Sequence, residues 1–150
     1  KLTLPEGMAM REFLQLLNAA EGLEGPAVKQ APEGSLLADT YFYTRGERRQ
    51  QVLARMQEAL RQELAVLWPG RARNLPFKSK AEALALASLV EKETALANEH
   101  GKVASVFVNR LRKGMPLQAD ASVVYALTGG QGPLGRVLTR HDWKTDNPHN

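Results

Sequence analysis

The sequence predicts an α+β fold that is mostly helical, and three observations support this. Apolar residues recur at helical spacing in several segments, turn residues separate those segments, and only two short stretches resemble strands. With 150 residues, of which 43% are hydrophobic and 24% charged, the chain is long enough for one domain, or for one domain with a small attached piece.

The two predicted strands lie in the first third of the chain. Residues 2–4 alternate apolar and polar and then meet the turn sequence Pro5-Glu6-Gly7, as a short strand does. Residues 39–43 contain a cluster of aromatic side chains that favours a second strand or an extended segment. We therefore expect a very small sheet beside a larger helical body.

Five helices are predicted from the spacing of apolar residues and from residues that cap helix ends. They cover about residues 9–20, 44–68, 79 to 95 or 97, 102–112 and 121–127. Thr44 with Glu47, and Ser79 with Glu82, have the spacing of a capping box. Asp120 is expected to cap the last helix, and Gly114 to end the fourth.

A change of composition between Arg73 and Lys78 divides the sequence in two. Residues 1–74 form a mixed strand and helix region, and residues 75–150 a helical region. The sequence begins without methionine and ends in a polar loop, so we expect it to be part of a longer protein. It contains no run of about 18 apolar residues of the kind that crosses a membrane.

The composition excludes several kinds of chemistry. There are no cysteines, which rules out disulfides, thiol catalysis and thiolate zinc sites. The three histidines, His100, His141 and His149, do not have metal-ligand spacing, so we expect neither a metal nor a cofactor. The net charge of +4 suits a polyanionic partner such as nucleic acid, anionic lipid or cell wall, but it is equally typical of a solvated basic surface.

Glu93 occupies an unusual position in the third predicted helix. At about 100° per residue, Leu86 lies about 20° from Glu93, Leu89 and Ala97 about 40°, and Val90 and Leu96 about 60°. Glu93 therefore falls within the apolar stripe, where burial would favour the protonated carboxyl that a general acid requires. The alternative is a buried ion pair between Glu93 and Arg110 or Arg112.

Three blocks of sequence, in this order, resemble the YceG-like endolytic murein transglycosylases. They are Leu86-Ala87-Ser88-Leu89-Val90-Glu91-Lys92-Glu93-Thr94, Lys102-Val103-Ala104-Ser105-Val106-Phe107-Val108-Asn109-Arg110-Leu111, and Gly114-Met115-Pro116-Leu117-Gln118-Ala119-Asp120 leading into Val123-Val124-Tyr125. The resemblance is specific from about residue 75 onward and weaker before it. Ala119 and Ala121 depart from the family, in which a hydroxyl residue and a proline are expected.

The resemblance implies a fold, an activity and a location. The fold would be a lysozyme-like helical catalytic core, accompanied by a small piece associated with a LysM-like module. The activity would be cleavage of the β-1,4 bond between N-acetylmuramic acid and N-acetylglucosamine inside peptidoglycan strands. The enzyme would act on the periplasmic side of the bacterial inner membrane, attached by an anchor helix outside this sequence, and cell-wall synthesis proteins would be possible partners.

The resemblance also assigns site residues. The glutamate before threonine in the Glu-Lys-Glu-Thr motif is the family's catalytic acid, and this is Glu93. A single carboxyl suits a lytic transglycosylase, because the muramic acid 6-hydroxyl attacks its own anomeric carbon and leaves a 1,6-anhydro end. Glu91 faces the other side of the helix and Glu99 is expected to be solvated, so neither supplies a second carboxyl. Asp120 is expected to cap a helix, with a role as nucleophile as the alternative. Expected substrate contacts are Gln118, Asp120, Tyr125 and Asn150, with Thr94 and Asn109 in supporting roles.

Several alternatives remain open from sequence. The chain could bind peptidoglycan without cutting it, Tyr125 could be a core residue, and Thr94 could bond back to the preceding helical turn. A basic nucleic-acid binder is disfavoured, because the arginines that come closest to a basic stripe alternate with glutamine and glutamate. Those arginines are Arg45, Arg48, Arg49, Arg55 and Arg61.

Overall fold

The computed structural model describes residues 1–144, which contain five α-helices, two short strands and two 3-10 turns. The strands are β1 (Leu2–Thr3) and β2 (Thr40–Tyr41), the helices are α1 (Met10–Ala19), α2 (Arg49–Leu67), α3 (Lys80–Glu93), α4 (His100–Arg112) and α5 (Asp120–Thr128), and the 3-10 turns are Trp68–Gly70 and Asp142–Lys144. The expected α+β class with a helical majority is confirmed. The chain divides into two compact units, Lys1–Ala72 and Arg73–Asn150.

The first unit contains the small sheet that the sequence predicts. Strands β1 and β2 are antiparallel, with Leu2 opposite Tyr41 and Thr3 opposite Thr40. The hydroxyl oxygens of Thr3 and Thr40 are 2.8 Å apart, and the Leu4 amide donates to the Asp39 carbonyl at 2.9 Å. Because a two-stranded sheet is marginal alone, its stability depends on the helices packed against it.

Helices α1 and α2 supply most of the core of the first unit. Each helix has one apolar face, and the most deeply buried side chains are Phe13 and Leu17 from α1 with Val52 and Met56 from α2. Helix α1 begins without a side-chain cap of its own. Instead its Met10 amide donates to the Glu33 carboxylate at 3.1 and 3.2 Å, which satisfies an orphan donor of the first turn.

Helix α2 begins later than its sequence suggests. The Thr44 amide does donate to the Glu47 carboxylate at 3.2 Å, but this contact closes a turn and does not start a helix. Gly46 has a φ of 89°, which a right-handed helix cannot accommodate. The helix therefore starts at Arg49, where the Arg48 amide donates to the Gln51 side chain at 3.2 Å.

Between residues 73 and 144 the second unit contains three α-helices, in which α3 packs against α4 and α5. Its core contains Leu86 and Val90 of α3, Phe107 of α4, and Ala119 just before α5. The predicted capping box at the start of α3 is confirmed: the Glu82 amide donates to the Ser79 hydroxyl at 3.1 Å, and the Ser79 amide donates to the Glu82 carboxylate at 2.9 Å.

Several helix boundaries in the second unit differ from expectation, and α4 begins at His100, two residues before its predicted start. Helix α3 ends at Glu93, because Thr94 takes an extended conformation with φ −149° and ψ 134°. Helix α5 begins at Asp120, so Ala119 is the cap residue and Asp120 does not cap the helix with its side chain. The position of Ala119 is explained by burial: it is only 2% exposed, which favours a small apolar side chain there. The predicted glycine after α4 is confirmed, with Gly114 at φ 64°.

None of the helices between residues 1 and 144 is both long and apolar enough to span a membrane.

Candidate active site

Glu93 lies at the last position of α3 and lines a pocket of ≈ 150 Å³. The other lining residues all come from α4: Val103, Val106 and Phe107. Phe107 is buried in the core, whereas Val106 is 55% exposed and presents an apolar surface to the pocket. Among residues 1–144, the pocket thus combines an apolar wall with a single acidic lining residue, Glu93.

The expectation that Glu93 is buried is wrong, because its side chain is exposed. Leu86 and Val90 are buried as predicted, so the apolar stripe itself exists. The helix ends at Glu93, however, and Leu96 and Ala97 leave the stripe that the helical wheel assigned to them. Leu96 is 57% exposed and does not cover the carboxyl.

The predicted alternative, an ion pair between Glu93 and an arginine, is not found either. Arg110 donates through Nε to the Pro116 carbonyl at 2.7 Å and through Nη2 to the Gln118 side-chain oxygen. Arg112 donates to the Asn74 carbonyl at 2.8 Å. Within residues 1–144 the structure gives the Glu93 carboxyl no hydrogen bond and no ion pair, which leaves it accessible from the pocket.

The segment that follows Glu93 is held by polar contacts. The Thr94 hydroxyl donates to the Glu99 carboxylate at 2.8 Å and accepts from the Leu96 amide at 3.2 Å. His100 Nε2 lies 3.2 Å from the Thr94 carbonyl oxygen and 3.6 Å from the Glu91 carboxylate. The Thr94 hydroxyl therefore bonds forward, although the Thr94 amide still donates to the Val90 carbonyl at 3.2 Å. Glu99 is half-buried and bonded, contrary to the expectation that it is solvated.

Two of the predicted substrate-binding residues lie at the junction of α4 and α5. Gln118 has a φ of 51°, in the left-handed region that few residues other than glycine adopt. Its side chain accepts from Arg110, which also bonds the Pro116 carbonyl, so this arginine stabilises the loop. Asp120 is exposed in the first turn of α5, where a negative charge interacts favourably with the helix dipole.

The remaining predicted residues have less defined surroundings. Tyr125 is 37% exposed, which is compatible with both its binding and its packing interpretation. Asn109 is exposed, and its side-chain oxygen accepts from Arg112 at 3.5 Å. Asn150 lies outside the described residues. Among the described residues that line the Glu93 pocket, Gln118, Asp120, Tyr125 and Asn109 do not occur, so their roles stay predictions.

One polar cluster was missed by the sequence analysis. Asp142 is 4% exposed and accepts two bonds from Arg136, at 2.6 and 2.9 Å, and two from Thr139, at 2.7 Å from its amide and 2.8 Å from its hydroxyl. The bonds from Arg136, and then those from Thr139, hold the pKa of Asp142 well below its usual range. The signal was available, because Thr139 and Asp142 have capping-box spacing.

In the described part of the chain, no three histidine or acidic side chains are grouped closely enough to hold a metal ion.

Three of the arginines that could contribute to a nucleic-acid-binding stripe make contacts within the protein. Arg49 donates to the Gly25 carbonyl at 2.9 Å, Arg55 pairs with Glu47 at 2.9 Å and Arg61 pairs with Glu58 at 2.5 Å, so they do not form one open basic stripe.

Comparisons with known proteins agree with the family that the sequence resembles. The sequence is 32% identical over 124 residues to an endolytic murein transglycosylase of Streptococcus pneumoniae (strain ATCC BAA-255 / R6), a match that covers 79% of this chain and 21% of that protein. It is 45% identical over 67 residues to an endolytic murein transglycosylase of Bacillus subtilis (strain 168), covering 45% of this chain and 18% of that protein. The chain thus spans about a fifth of the length of these curated relatives.

The fold has a solved counterpart. The crystal structure of a YceG-like protein from Listeria monocytogenes matches 99% of this chain with a TM-score of 0.69 and 23% sequence identity, over 58% of that chain. The sequence profile of the YceG-like family matches residues 1–150. Since that match extends over the whole sequence, the chain belongs to the YceG-like family.

Proposed function

We propose that this chain is the catalytic part of an endolytic murein transglycosylase, with Glu93 as the general acid and base. The observation that carries the proposal is the accessible Glu93 carboxyl, which is the one acidic group that the described residues contribute to a pocket at the end of the family's signature helix. The names of the two curated relatives give the same activity. The substrate is peptidoglycan, cut at the bond between N-acetylmuramic acid and N-acetylglucosamine within a strand.

The mechanism needs one carboxyl group only. Glu93 donates its proton to the glycosidic oxygen as the bond from that oxygen to the muramic acid anomeric carbon breaks. The 6-hydroxyl oxygen of the same sugar bonds to the anomeric carbon, and its proton passes to the Glu93 carboxylate. This restores the acid and leaves a 1,6-anhydro end. Because the nucleophile belongs to the substrate, its orientation replaces the second carboxyl that most glycosidases use.

Because Glu93 is exposed, the bound substrate would have to shield its carboxyl from water. A glycan strand bound over Val103 and Val106 would cover the carboxyl and exclude water from it. A covered carboxyl favours its protonated form, which the first step requires. Desolvation would thus come from the bound sugar and not from the fold itself, which explains why an acid can be accessible in the free protein.

Finer features of the family complete the proposal. The second unit would be a lysozyme-like helical core, and the first a piece associated with a LysM-like module. Gln118, Asp120 and Tyr125 would contact sugar hydroxyl and acetamido groups, and Asn150 would do so from the polar segment after residue 144. The protein would act on the periplasmic side of the inner membrane, held there by an anchor outside this sequence.

The test is a digest of purified sacculi by the complete protein, with products identified by mass spectrometry. Products with 1,6-anhydro ends are expected from the native protein and from Glu63→Gln, which changes an exposed glutamate of α2. Glu93→Gln should lower the rate by roughly 10²- to 10⁴-fold, as for the loss of a general acid. Ends that carry an added water would instead mean hydrolysis with a second carboxyl. Binding without cleavage by the native protein would favour a binding module.

A further inference from the structure

We propose that His100 is a positioning residue for Glu93, an inference that rests on the proposed catalytic role of Glu93. His100 does not line the pocket. It contacts instead the two segments of chain on either side of Glu93, and it belongs to the helix that forms the opposite pocket wall. His100 would therefore fix both the direction of the carboxyl and its distance from the substrate.

A contact of His100 holds the end of α3 in place. Glu93 is the last helical residue and Thr94 is extended, so the backbone changes direction immediately after the carboxyl-bearing residue. A helix end tends to fray unless its last carbonyl groups find partners. Here the Thr94 carbonyl has one, His100 Nε2 at 3.2 Å. This contact holds the residue after Glu93 in place.

His100 also faces Glu91, a residue of α3 that precedes Glu93. His100 Nε2 is also 3.6 Å from the carboxylate of Glu91, and the two side chains are 35% and 24% exposed. A carbonyl and a carboxylate both accept hydrogen bonds, so Nε2 must carry the proton in this arrangement. The same N–H faces acceptors from positions 91 and 94, which bracket Glu93 in the sequence.

His100 also begins the helix that forms the pocket wall. His100 is the first residue of α4, and Val103, Val106 and Phe107 follow within the next two turns. Because a helix is rigid over this length, a contact at its first residue fixes the wall relative to the end of α3. The Thr94 hydroxyl, which donates to Glu99 at 2.8 Å, reinforces the same junction. A displacement of about 1 Å in such a constellation lowers rates by about 10²-fold.

Two pairs of variants of the complete protein test this inference. His100→Phe keeps the approximate ring shape but removes the donor, whereas His100→Gln retains an N–H near the same position. Thr94→Val removes the hydroxyl from a side chain of the same shape, whereas Thr94→Ser retains it. The readouts are kcat and KM for release of 1,6-anhydro products, together with the unfolding midpoint of each variant.

We expect His100→Phe to lower kcat roughly 10- to 100-fold with KM changed less than about threefold, because the group that moves acts in the transition state. His100→Gln should recover most of the lost rate. Thr94→Val and Thr94→Ser should repeat this pattern with a smaller loss. If His100→Phe does not fold, His100→Leu, which also lacks the donor, takes its place in the comparison with His100→Gln.

Other outcomes overturn the inference. A kcat for His100→Phe within about twofold of the native value, while Glu93→Gln is inactive, would remove the positioning role and leave the proposed function intact. An equal loss in His100→Gln and His100→Phe would show that the donor is not what matters. A change in KM alone would assign the histidine to substrate binding. Native activity in Glu93→Gln would refute the proposed function first, and the inference with it.

Discussion

The capping box at the start of α3 allows a quantitative test of how this helix is stabilised. Ser79→Ala removes one bond, the one donated by the Glu82 amide to the serine hydroxyl at 3.1 Å. The reciprocal bonds from the Ser79 and Lys78 amides to the Glu82 carboxylate, at 2.9 and 2.6 Å, survive because their donors are backbone groups. Loss of a serine N-cap costs about 1 kcal/mol. In a unit of this size that lowers the melting temperature by roughly 4–8 °C.

Ser88→Ala is the matched control on the same helix. Ser88 is exposed, and its hydroxyl donates back to the Ala85 carbonyl at 2.7 Å, an arrangement that slightly weakens a helix. Alanine has a better helix propensity than serine by roughly 0.5 kcal/mol, so this change should raise the melting temperature. Thermal unfolding followed by far-UV circular dichroism measures both variants. Equal melting temperatures for the two variants, or an unchanged melting temperature for Ser79→Ala, would refute the assignment of the cap.

Two further predictions address the pocket wall and the Asp142 cluster. Val106→Asp replaces part of the apolar wall beside Glu93 with a hydrated charged group, so a bound strand no longer excludes water from the site and roughly tenfold slower release of anhydro products is expected. Val66→Asp, at a 75% exposed position of α2, should leave the rate unchanged. Because the folded pKa of Asp142 is lowered, its contribution to stability is complete above the unfolded value and lost as the pH falls through the lower folded one. The urea midpoint of the native protein should therefore drop below about pH 4, and that of Asp142→Asn should drop less.

Local sequence signals were sufficient for much of the fold. The alternation of residues 2–4, the apolar faces of α1 and α2, and the glycine after α4 depend on residues close together in sequence, and the structure confirms each. The Ser79–Glu82 capping box is local in the same sense. The Thr44–Glu47 pair shows the limit of such signals. The same spacing closed a turn there, because Gly46 adopts a φ that a helix cannot use.

The identity of the candidate acid also came from sequence, through the helical wheel and the family motif together. The wheel placed Leu86 and Val90 correctly in the core. It was wrong about the surroundings of Glu93, because a wheel assumes that the helix continues and that another layer covers its apolar face. Both conditions depend on residues beyond the helix, so the periodicity of α3 gives no information about them.

The sequence by itself determined the family, the helical majority of the fold and Glu93 as the residue to test. Only the tertiary structure decided that this carboxyl is accessible, that it faces Val103 and Val106, and that His100 contacts the chain on both sides of it. The physical reason is the range of the interactions. Helix propensity and capping act over three or four residues, whereas exposure and the geometry of a pocket depend on how α4 packs against the end of α3.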